Sequence, residues 1–309
     1  MTTLRILISE GNESANRARL IRNAGDSSGG LCDRVLHGIR SDLHTEIYFA
    51  PDGTQRPQRP LADYDGILFT GSMSNIQDMT DGTRRQIAFM QEAFASGTPL
   101  FGICWGLQLA TVAAGGQVGP SHAADSHGEW PFARNVALTS AGRDHPMHLT
   151  RPDVFDSYAF HSDMIYELPV GATVTARNDS CIQALEIRGQ KSVFWGVQYH
   201  PEADGSQAAG FTGGFSTALV EAGYYPDVNT LAASAKVLSR LGPDYRPAPE
   251  DREWLGDLAL DRFDFAPVEL VNWLHHHVCP ARHRRLHMSR TGESPNSDYT
   301  SSGERNPHP

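Results

Sequence analysis

The chain has 309 residues, of which 39% are hydrophobic and 20% charged, and its formal net charge is -10. This length accommodates one large domain or two ordinary ones, with a buried core that needs no disulfide or metal. No run approaches the roughly 18 apolar residues of a membrane-spanning helix, and the acidic excess argues against nonspecific nucleic-acid binding. The cysteines at positions 32, 104, 181 and 279 form no CxxC pattern. Because the N-terminus also lacks a signal-peptide pattern, we expect a cytoplasmic protein.

The first hundred residues alternate apolar runs with polar or helical stretches. Four runs are predicted to be buried strands: Leu4–Ser9, Glu46–Ala50, Gly66–Thr70 and Leu100–Ile103. Between the last two, Ile87, Met90 and Phe94 recur at helical spacing, and Gly97 is placed to end that helix. Strand, helix and strand at this spacing predict a right-handed crossover and a parallel sheet.

The segment between the first two predicted strands is long and polar. Its sequence is NESANRARLIRNAGDSSGGLCDRV, at residues 12–35. We expect this segment to contribute to a lid, and we expect SSGG at residues 27–30 to form a flexible turn.

After about residue 134, strand-like runs follow each other closely and predict a mixed or antiparallel extension of the sheet. These runs are Asn135–Thr139, Val154–Phe160, Thr173–Ala176, Ile182–Ile187 and Val193–Tyr199. After about residue 207 the pattern becomes helical, best at Leu231–Leu241 and Val268–His277. The last twenty residues carry only Tyr299 as a sizeable apolar group, too little to order them. We therefore predict a main domain at 1–207, a helical extension at 208–289 and a flexible tail at 290–309.

The most informative stretch is PLFGICWGLQLATVAAGG, residues 99–116, in which a buried strand runs directly into Cys104. Gly102 and Gly106 flank the cysteine and a helix follows. This G-x-C-x-G pattern is typical of a nucleophile elbow, where strand and helix approach closely. The helix N-terminus favours the thiolate, and the backbone N–H of Trp105 is a candidate oxyanion donor. The alternative is a structural cysteine at a tight turn.

A second stretch, WGVQYHPE at residues 195–202, places His200 at the end of an apolar strand that Pro201 terminates. A thiolate nucleophile needs a general base and acid near neutral pH, and histidine has this property. Glu202 can reach the second ring nitrogen of His200 and orient the ring. Together with the elbow, this pattern favours a catalytic histidine over a structural one.

GICWGLQ together with GVQYHPE resembles the class I, triad-type glutamine amidotransferase superfamily over roughly residues 4–203. The resemblance is closest to the GMP-synthase-type glutaminase domain and to related stand-alone γ-glutamyl amide hydrolases. It implies an α/β, doubly wound, flavodoxin-like fold and a Cys104–His200–Glu202 triad. It also implies that the thiolate attacks a γ-glutamyl amide carbonyl, releases the amine or ammonia, and forms a glutamyl thioester that water cleaves. This chemistry requires no cofactor and no metal.

A third patch resembles the same family and concerns the oxyanion hole. LFTGSMSNI, residues 68–76, ends the third strand in a glycine turn whose N–H groups complete the oxyanion hole in the family. The resemblance implies that Gly71 acts there with Trp105 and that Ser72 lies beside the substrate. Gln108 falls on the family's glutamine in GxCxGxQ, and is expected to help seat the substrate.

A fourth patch, FHSDMIYELPVGATVTARN at residues 160–178, resembles the substrate segment of the GMP-synthase-type domain. His161 falls on that segment's histidine, and Ser162 and Asp163 fall where the family holds the glutamine backbone. Ser162 replaces a glycine of the related domains, and Phe160 replaces a small polar residue. Both changes are expected to narrow or reshape the glutamyl pocket.

The chain contains no recognisable synthetase segment, so three functions remain open. The first is a stand-alone hydrolase of γ-glutamyl N-alkyl, N-aryl or peptide amides that releases glutamate and an amine, with the extension shaping the amine-side pocket. The second is a glutaminase subunit that delivers ammonia to a separate synthase partner, with the extension as the interface. The third is an inactive amidotransferase-like binding module. The first is slightly favoured, because no synthetase is attached and the glutamyl segment departs from the amidotransferase pattern.

A histidine-rich segment lies near the C-terminus. It contains His275, His276, His277, Cys279, His283 and His287. Consecutive histidines on a helix point in different directions, and the nearby arginines would repel a cation. We therefore expect a basic helix end on the surface rather than a metal site.

Overall fold

A computed structural model describes residues 3–120, 128–255, 258, 260, 263 and 265–291. The strands are β1 (Leu4–Ser9), β2 (Leu43–Tyr48), β3 (Gly66–Phe69), β4 (Leu100–Ile103), β5 (Gln117–Pro120), β6 (Phe132–Leu138), β7 (Val154–Tyr158), β8 (Asp163–Glu167), β9 (Ala172–Arg177), β10 (Ile182–Arg188) and β11 (Val193–Val197). The helices are α1 (Ser14–Ala24), α2 (Ser28–Ile39), α3 (Asp81–Ser96), α4 (Trp105–Ala113), α5 (Ser140–Arg143), α6 (Gly205–Gly214), α7 (Ser216–Glu221), α8 (Val228–Leu238), α9 (Arg252–Leu255), α10 (Val268–Asn272) and α11 (Cys279–Thr291). A π-helical segment, Trp273–Val278, joins α10 to α11, and short 3-10 turns lie at Ala50–Asp52, Leu61–Asp63, Ile76–Asp78, Pro146–His148 and Pro249–Asp251.

The main sheet has the strand order β2-β1-β3-β4-β11-β10-β9-β6-β7. The first five strands of this order pair in parallel, and the pairs from β11 to β7 are antiparallel. β3 and β4 are buried at every position, as expected for central parallel strands covered on both faces. The predicted fold class is confirmed: a doubly wound, flavodoxin-like sheet with an antiparallel extension and a C-terminal helical part.

The sequence analysis did not predict two of the strands. β5 and β8 form a separate antiparallel pair beside the main sheet. β5 has only four residues, including a glycine and a proline, and the last two residues of β8 are exposed. Neither strand therefore presents the apolar alternation on which the prediction of strands depends.

The polar segment after β1 was wrongly predicted to contain a flexible turn. It forms α1 and α2, and the turn prediction failed because Ser27 is the N-cap of α2: its side chain accepts a hydrogen bond from the N–H of Gly30. The N–H of Gly29 donates to the buried Glu10 carboxylate at 2.7 Å. The first serine of SSGG therefore starts a helix, and the first glycine of the same run links this helix to Glu10 at the end of β1.

The first part of the helical extension packs against α1. The guanidinium of Arg19 donates to the carbonyl oxygen of Gly214 at 2.8 and 3.2 Å and lies 4.0 Å from the ring centroid of Phe215. A Cβ on Gly210 would lie 2.6 Å from the carbonyl oxygen of Asn23, so α6 approaches α1 closely enough to require glycine there. α6 spans both sides of the boundary predicted after residue 207.

The last helical part is anchored by a buried ion pair. Arg151 donates two hydrogen bonds to Glu269, at 2.7 and 2.8 Å, and neither side chain is exposed to solvent. Tyr199 donates a third hydrogen bond to Glu269 at 2.8 Å. α11 runs to Thr291, and the rest of the predicted tail lies outside the described residues. No helix in the described part of the chain is long and apolar enough to cross a membrane.

The histidine-rich segment is only partly a surface feature. His275 and His276 are exposed. The ring of His277 instead stacks on Trp195, with 4.6 Å between the ring centroids. The expectation of a wholly exposed helix end was therefore wrong for His277, because the π-helical segment directs this residue toward the sheet.

Candidate active site

The carboxyl ends of β1, β3, β4 and β11 meet at one edge of the sheet, beside the point where the strand order reverses. Open α/β sheets form their ligand sites in this crevice. Gly71 follows β3, Cys104 follows β4 and His200 follows β11. A Cβ added to Gly71 would lie 3.1 Å from the His200 ring and 3.9 Å from Cβ of Cys104, so the structure brings these three residues together.

Cys104 occupies a strained turn between β4 and α4. It has φ 50° and ψ -101° and is only 4% exposed. A Cβ on Gly102 would lie 2.7 Å from the backbone of Gly106, and a Cβ on Gly106 would lie 2.4 Å from the carbonyl oxygen of Phe69. The two glycines are therefore required by close packing, and the geometry agrees with the predicted nucleophile elbow.

His200 and Glu202 form a buried pair beside the thiol. Nδ1 of His200 lies 2.7 Å from Oε1 of Glu202, and because a carboxylate only accepts, Nδ1 carries the proton and Nε2 is left for the thiol. Burial acts to lower the pKa of His200, but the charge of Glu202 and the interaction with Cys104 outweigh burial and raise the pKa to about 10. This arrangement favours a protonated His200 ring beside the sulfur of Cys104.

Two backbone N–H groups are available beside the thiol. Trp105 is the first residue of α4, so its N–H has no partner within the helix. The N–H of Gly71 makes no hydrogen bond within the described residues. The Gly71 turn is held by Asn12, whose Nδ2 donates to the Gly71 carbonyl oxygen at 3.2 Å and whose Oδ1 accepts from the N–H of Met73 at 2.9 Å.

The predicted substrate residues line a cavity of about 350 Å³ that opens at Cys104. They are Ser72, Gln108, His161, Ser162 and Asp163. Nε2 of Gln108 donates to the carbonyl oxygen of Asp163 at 3.2 Å and to the Gln198 side chain at 3.2 Å. Gln108 therefore fixes the 161–163 segment to α4. Burial raises the pKa of the Asp163 carboxyl, although a hydrogen bond from Gln77 and the charge of His161 oppose this rise.

His161 is held on both sides of its ring. Nδ1 lies 3.2 Å from the carbonyl oxygen of Asp163, and Nε2 lies 2.9 Å from Oε2 of Glu129. Both ring nitrogens are therefore engaged by acceptors of the protein. Burial would raise the pKa of Glu129, but His161 and the amides of Asn178 and Gln183 hold that pKa below its usual range. His161 thus holds the 161–163 segment in place rather than offering a ring nitrogen to the cavity.

Glu129, His161 and Cys181 form a cluster with the spacing of a metal site. The two oxygens of Glu129 already accept hydrogen bonds from Asn178, Gln183 and His161. Because amide and imidazole N–H donors fill the cluster, its chemistry fits a hydrogen-bond network rather than a cation.

The sequence analysis did not name the individual residues that form one part of the cavity wall. The extension contributes Phe215, Ala218, Leu219, Ala222 and Tyr224. Trp130, also in the wall, donates from Nε1 to Thr212 of α6 at 3.1 Å. These residues carry no local motif, and the helical periodicity of the extension was the single sequence signal that pointed to this region.

Comparison with known proteins is consistent with this geometry. The family model described as "Glutamine amidotransferase class-I" matches residues 26–211. A gamma-glutamyl-L-1-hydroxyisopropylamide hydrolase from Pseudomonas sp. is 46% identical over 286 residues, which cover 93% of this chain and 97% of that protein. A GMP synthase from Chlorobium chlorochromatii is 32% identical over 168 residues, covering 52% of this chain but 29% of the synthase.

Solved structures share the fold at low identity. A glutamine amidotransferase from Thermotoga maritima has a TM-score of 0.56 and 18% identity, covering 77% of this chain and 94% of that one. A glutamine amidotransferase from Methylobacillus flagellatus has a TM-score of 0.52 and 16% identity, covering 90% of this chain and 99% of that one. Because the family model covers more than half of the chain and agrees with the elbow and the histidine–glutamate pair, this protein is an enzyme that belongs to the class-I glutamine amidotransferase family.

Proposed function

We propose that this enzyme hydrolyses the γ-glutamyl amide of a small amine through a glutamyl thioester, acting without a synthase partner. The observation that carries the proposal is the position of Cys104 on a strained elbow, beside His200 and next to two unpaired backbone N–H groups. The named activity of the Pseudomonas relative, which matches almost the whole chain, supports hydrolysis of a γ-glutamyl amide.

The proposed reaction has two halves. With the proton already on Nε2 of His200, Sγ of Cys104 attacks the γ-carbonyl carbon, and the N–H groups of Gly71 and Trp105 stabilise the resulting oxyanion. The C–N bond then breaks, His200 gives its proton to the nitrogen, and the amine departs. In the second half His200 deprotonates a water molecule, the hydroxide attacks the thioester, and glutamate leaves as the C–S bond breaks. Glu202 keeps the ring oriented throughout.

The helical extension supports the proposal that the enzyme acts without a synthase partner. Phe215, Leu219 and Tyr224 already form one wall of the cavity at Cys104, so the extension of this chain encloses part of the substrate site. A glutaminase subunit needs an exit for ammonia toward a synthase, and the similarity to GMP synthases covers only the glutaminase portion of those proteins. We therefore place the extension in the substrate site rather than at an interface with a synthase.

A side-by-side assay of γ-glutamyl ethylamide and glutamine tests this proposal. We expect kcat/KM to be higher for the amide, in the purified chain alone. We also expect γ-glutamyl hydroxamate when hydroxylamine is added, because hydroxylamine intercepts a thioester. Cys104→Ala should abolish both products while keeping the far-UV circular dichroism spectrum. Turnover that favours glutamine, or activity retained in Cys104→Ala, would refute the proposal.

A further inference from the structure

The two backbone N–H groups beside Cys104 are connected to one short segment of the chain. This segment consists of residues 10–12, follows β1 directly, and is called the β1 end segment. A Cβ added to Gly11 would lie 2.8 Å from the carbonyl oxygen of Gly71 and 3.0 Å from Cδ1 of Trp105. Gly11 therefore contacts both residues that supply the N–H groups, and a larger side chain does not fit between them.

On the Gly71 side, the connection runs through the hydroxyl of Thr70. Oγ1 of Thr70 accepts a hydrogen bond from the N–H of Gly11 at 2.9 Å and donates one to the carbonyl oxygen of Gly71 at 3.0 Å. The N–H of Thr70 donates to the carbonyl oxygen of Ser9 at 3.1 Å. Nδ2 of Asn12 also donates to the Gly71 carbonyl oxygen, at 3.2 Å. The peptide unit that carries the Gly71 N–H is thus held at both of the residues that it joins.

On the Trp105 side, the connection runs through the amide of Gln86 in α3. Oε1 of Gln86 accepts a hydrogen bond from Nε1 of Trp105 at 3.1 Å, and Nε2 of Gln86 donates one to the carbonyl oxygen of Gly11 at 3.2 Å. Gln86 and Trp105 are both buried. Because Trp105 is the first residue of α4, a fixed indole ring also fixes the start of the helix that carries its N–H.

A buried carboxyl group anchors the β1 end segment itself. Oε1 of Glu10 accepts hydrogen bonds from the backbone N–H and from Nδ2 of Asn12, each at 2.9 Å. Oε2 of Glu10 accepts from the N–H of Gly29, in the first turn of α2, at 2.7 Å. Glu10 and Asn12 are completely buried. A buried polar network whose members are satisfied is rigid, so this segment is a firm support for the residues that contact it.

The stabilisation of an oxyanion depends on where its donors lie. A donor is effective when it lies about 2.7–3.1 Å from the position that the oxygen occupies in the transition state. Thr70 and Gln86 are not among the described residues that line the cavity at Cys104. Any influence of these two residues on the reaction therefore passes through the N–H groups of Gly71 and Trp105.

Resting on the proposed function, we propose that Thr70 and Gln86 are positioning residues of the oxyanion hole. Thr70 directs the N–H of Gly71, and Gln86 directs the N–H of Trp105. Because both residues are hydrogen-bonded to Gly11, the β1 end segment sets both donors relative to Sγ of Cys104. Loss of either connection raises the energy of the transition state and leaves the binding of the substrate unchanged.

Thr70→Val tests the Gly71 side, because valine has the shape of threonine but lacks the hydroxyl. With γ-glutamyl ethylamide we expect kcat and kcat/KM to fall about tenfold while KM stays within about twofold, since the oxyanion forms only after the attack. Thr70→Ser keeps the hydroxyl and should recover most of the lost kcat. Gln86→Met tests the Trp105 side, because methionine has a similar length but makes neither hydrogen bond. We expect it to lower kcat by a similar factor.

Alkylation of Cys104 by iodoacetamide distinguishes a displaced donor from a damaged nucleophile. This reaction is a displacement at a methylene carbon and forms no oxyanion, so its rate depends on the reactivity of the sulfur. We expect the rate of inactivation by iodoacetamide in Thr70→Val and Gln86→Met to stay within about twofold of the wild-type rate. A loss of kcat that is matched by an equal loss of alkylation would refute the positioning role.

Thr98→Val is the matched control for the loss of a buried hydroxyl. Thr98 is buried just before β4, at the opposite end of that strand from Cys104, and its hydroxyl donates to the carbonyl oxygen of Leu61 at 2.8 Å. This variant should keep the kcat of the wild type. If Thr70→Val and Gln86→Met keep it as well, the positioning role is wrong even though the amide is cleaved. If Thr70→Val does not fold, Gln86→Met decides.

The same experiment separates this proposal from the proposed function. Failure of the wild-type enzyme to cleave γ-glutamyl ethylamide, with glutamine cleaved instead, would refute the proposed function. The comparison of variants would then be made with glutamine, whose cleavage passes through the same kind of oxyanion. An unchanged kcat for glutamine in both variants would overturn the positioning role, and a selective loss of kcat would support it.

Discussion

The replacement His277→Phe tests how strongly the interior of this protein disfavours a charged histidine. Nδ1 of His277 is buried and has no hydrogen-bond partner among the described residues. Burial lowers the pKa of His277 to about 4. The charges around it come from several elements: Glu186 raises this pKa, and Arg284, His145 and Arg188 lower it. Phenylalanine keeps a ring of similar volume on Trp195 but cannot bind a proton.

The magnitude follows from the two protonation equilibria. A histidine in the unfolded chain has a pKa of about 6.5. Below that pH the unfolded chain binds a proton that the folded chain does not bind until the pH approaches 4, so stability falls as the pH falls. For His277 the loss is about 2 kcal/mol at pH 5 and about 3 kcal/mol at pH 4, relative to neutral pH.

The assay is urea unfolding of the wild type and His277→Phe at several pH values between 7.5 and 4, followed by far-UV circular dichroism. The other titratable groups are common to both proteins and cancel in the difference between the two free energies of unfolding. We expect this difference to move in favour of the variant by about 2 kcal/mol between pH 7.5 and pH 5. A difference that stays constant across this range would show that His277 titrates normally in the folded protein, and would refute the reasoning.

Two further predictions concern stability at other places. Arg151→Ala leaves Glu269 buried without its counter-ion and should lower the free energy of unfolding, measured by chemical denaturation, by about 3–5 kcal/mol. The control Arg143→Ala removes an exposed arginine from a surface pair and should lower it by less than about 1 kcal/mol. Equal losses in the two variants would contradict the argument from the buried pair. Gly106→Ala forces a Cβ against the backbone and should lower both the activity and, by about 1–3 kcal/mol, the free energy of unfolding. The control Gly38→Ala lies at an open helical position and should raise the free energy of unfolding by about 0.5–1 kcal/mol. An unchanged stability and activity in Gly106→Ala would contradict the elbow geometry.

The sequence allowed the elbow and the histidine–glutamate pair to be predicted because their geometry is local. Gly102, Cys104 and Gly106 lie within five positions, and one of the steric conflicts that require glycine there, between a Cβ on Gly102 and the backbone of Gly106, operates within the same turn. His200 and Glu202 are likewise two residues apart and form their hydrogen bond across one turn. Patterns of this kind indicate a structure directly, because few other local conformations favour those residue types at that spacing.

The residues that the sequence did not reveal act through contacts between distant parts of the chain. Glu129 reaches His161 across 32 positions, and Asn12 reaches Gly71 across 59. A lone glutamate or asparagine has no local pattern that distinguishes a buried partner from a surface residue. The same limit applies to Phe211, which lines a small cavity of about 30 Å³ beside Cys104 and His200. Its position there follows from the packing of α6 on α1 rather than from its own neighbours in sequence.

The contact between Arg19 and Gly214 joins residues 195 positions apart. A chain synthesised from its N-terminus completes the Cys104 elbow and the His200 strand before the helix that covers one side of them exists. The enclosure of the nucleophile is therefore non-local and carries a greater loop-closure cost than the formation of the elbow. A ribosome-bound or truncated chain ending before α6 would present its cysteine, Trp130 and Phe160 without this cover. We therefore expect a chain that ends before α6 to keep the triad residues but to lose one wall of the site at Cys104.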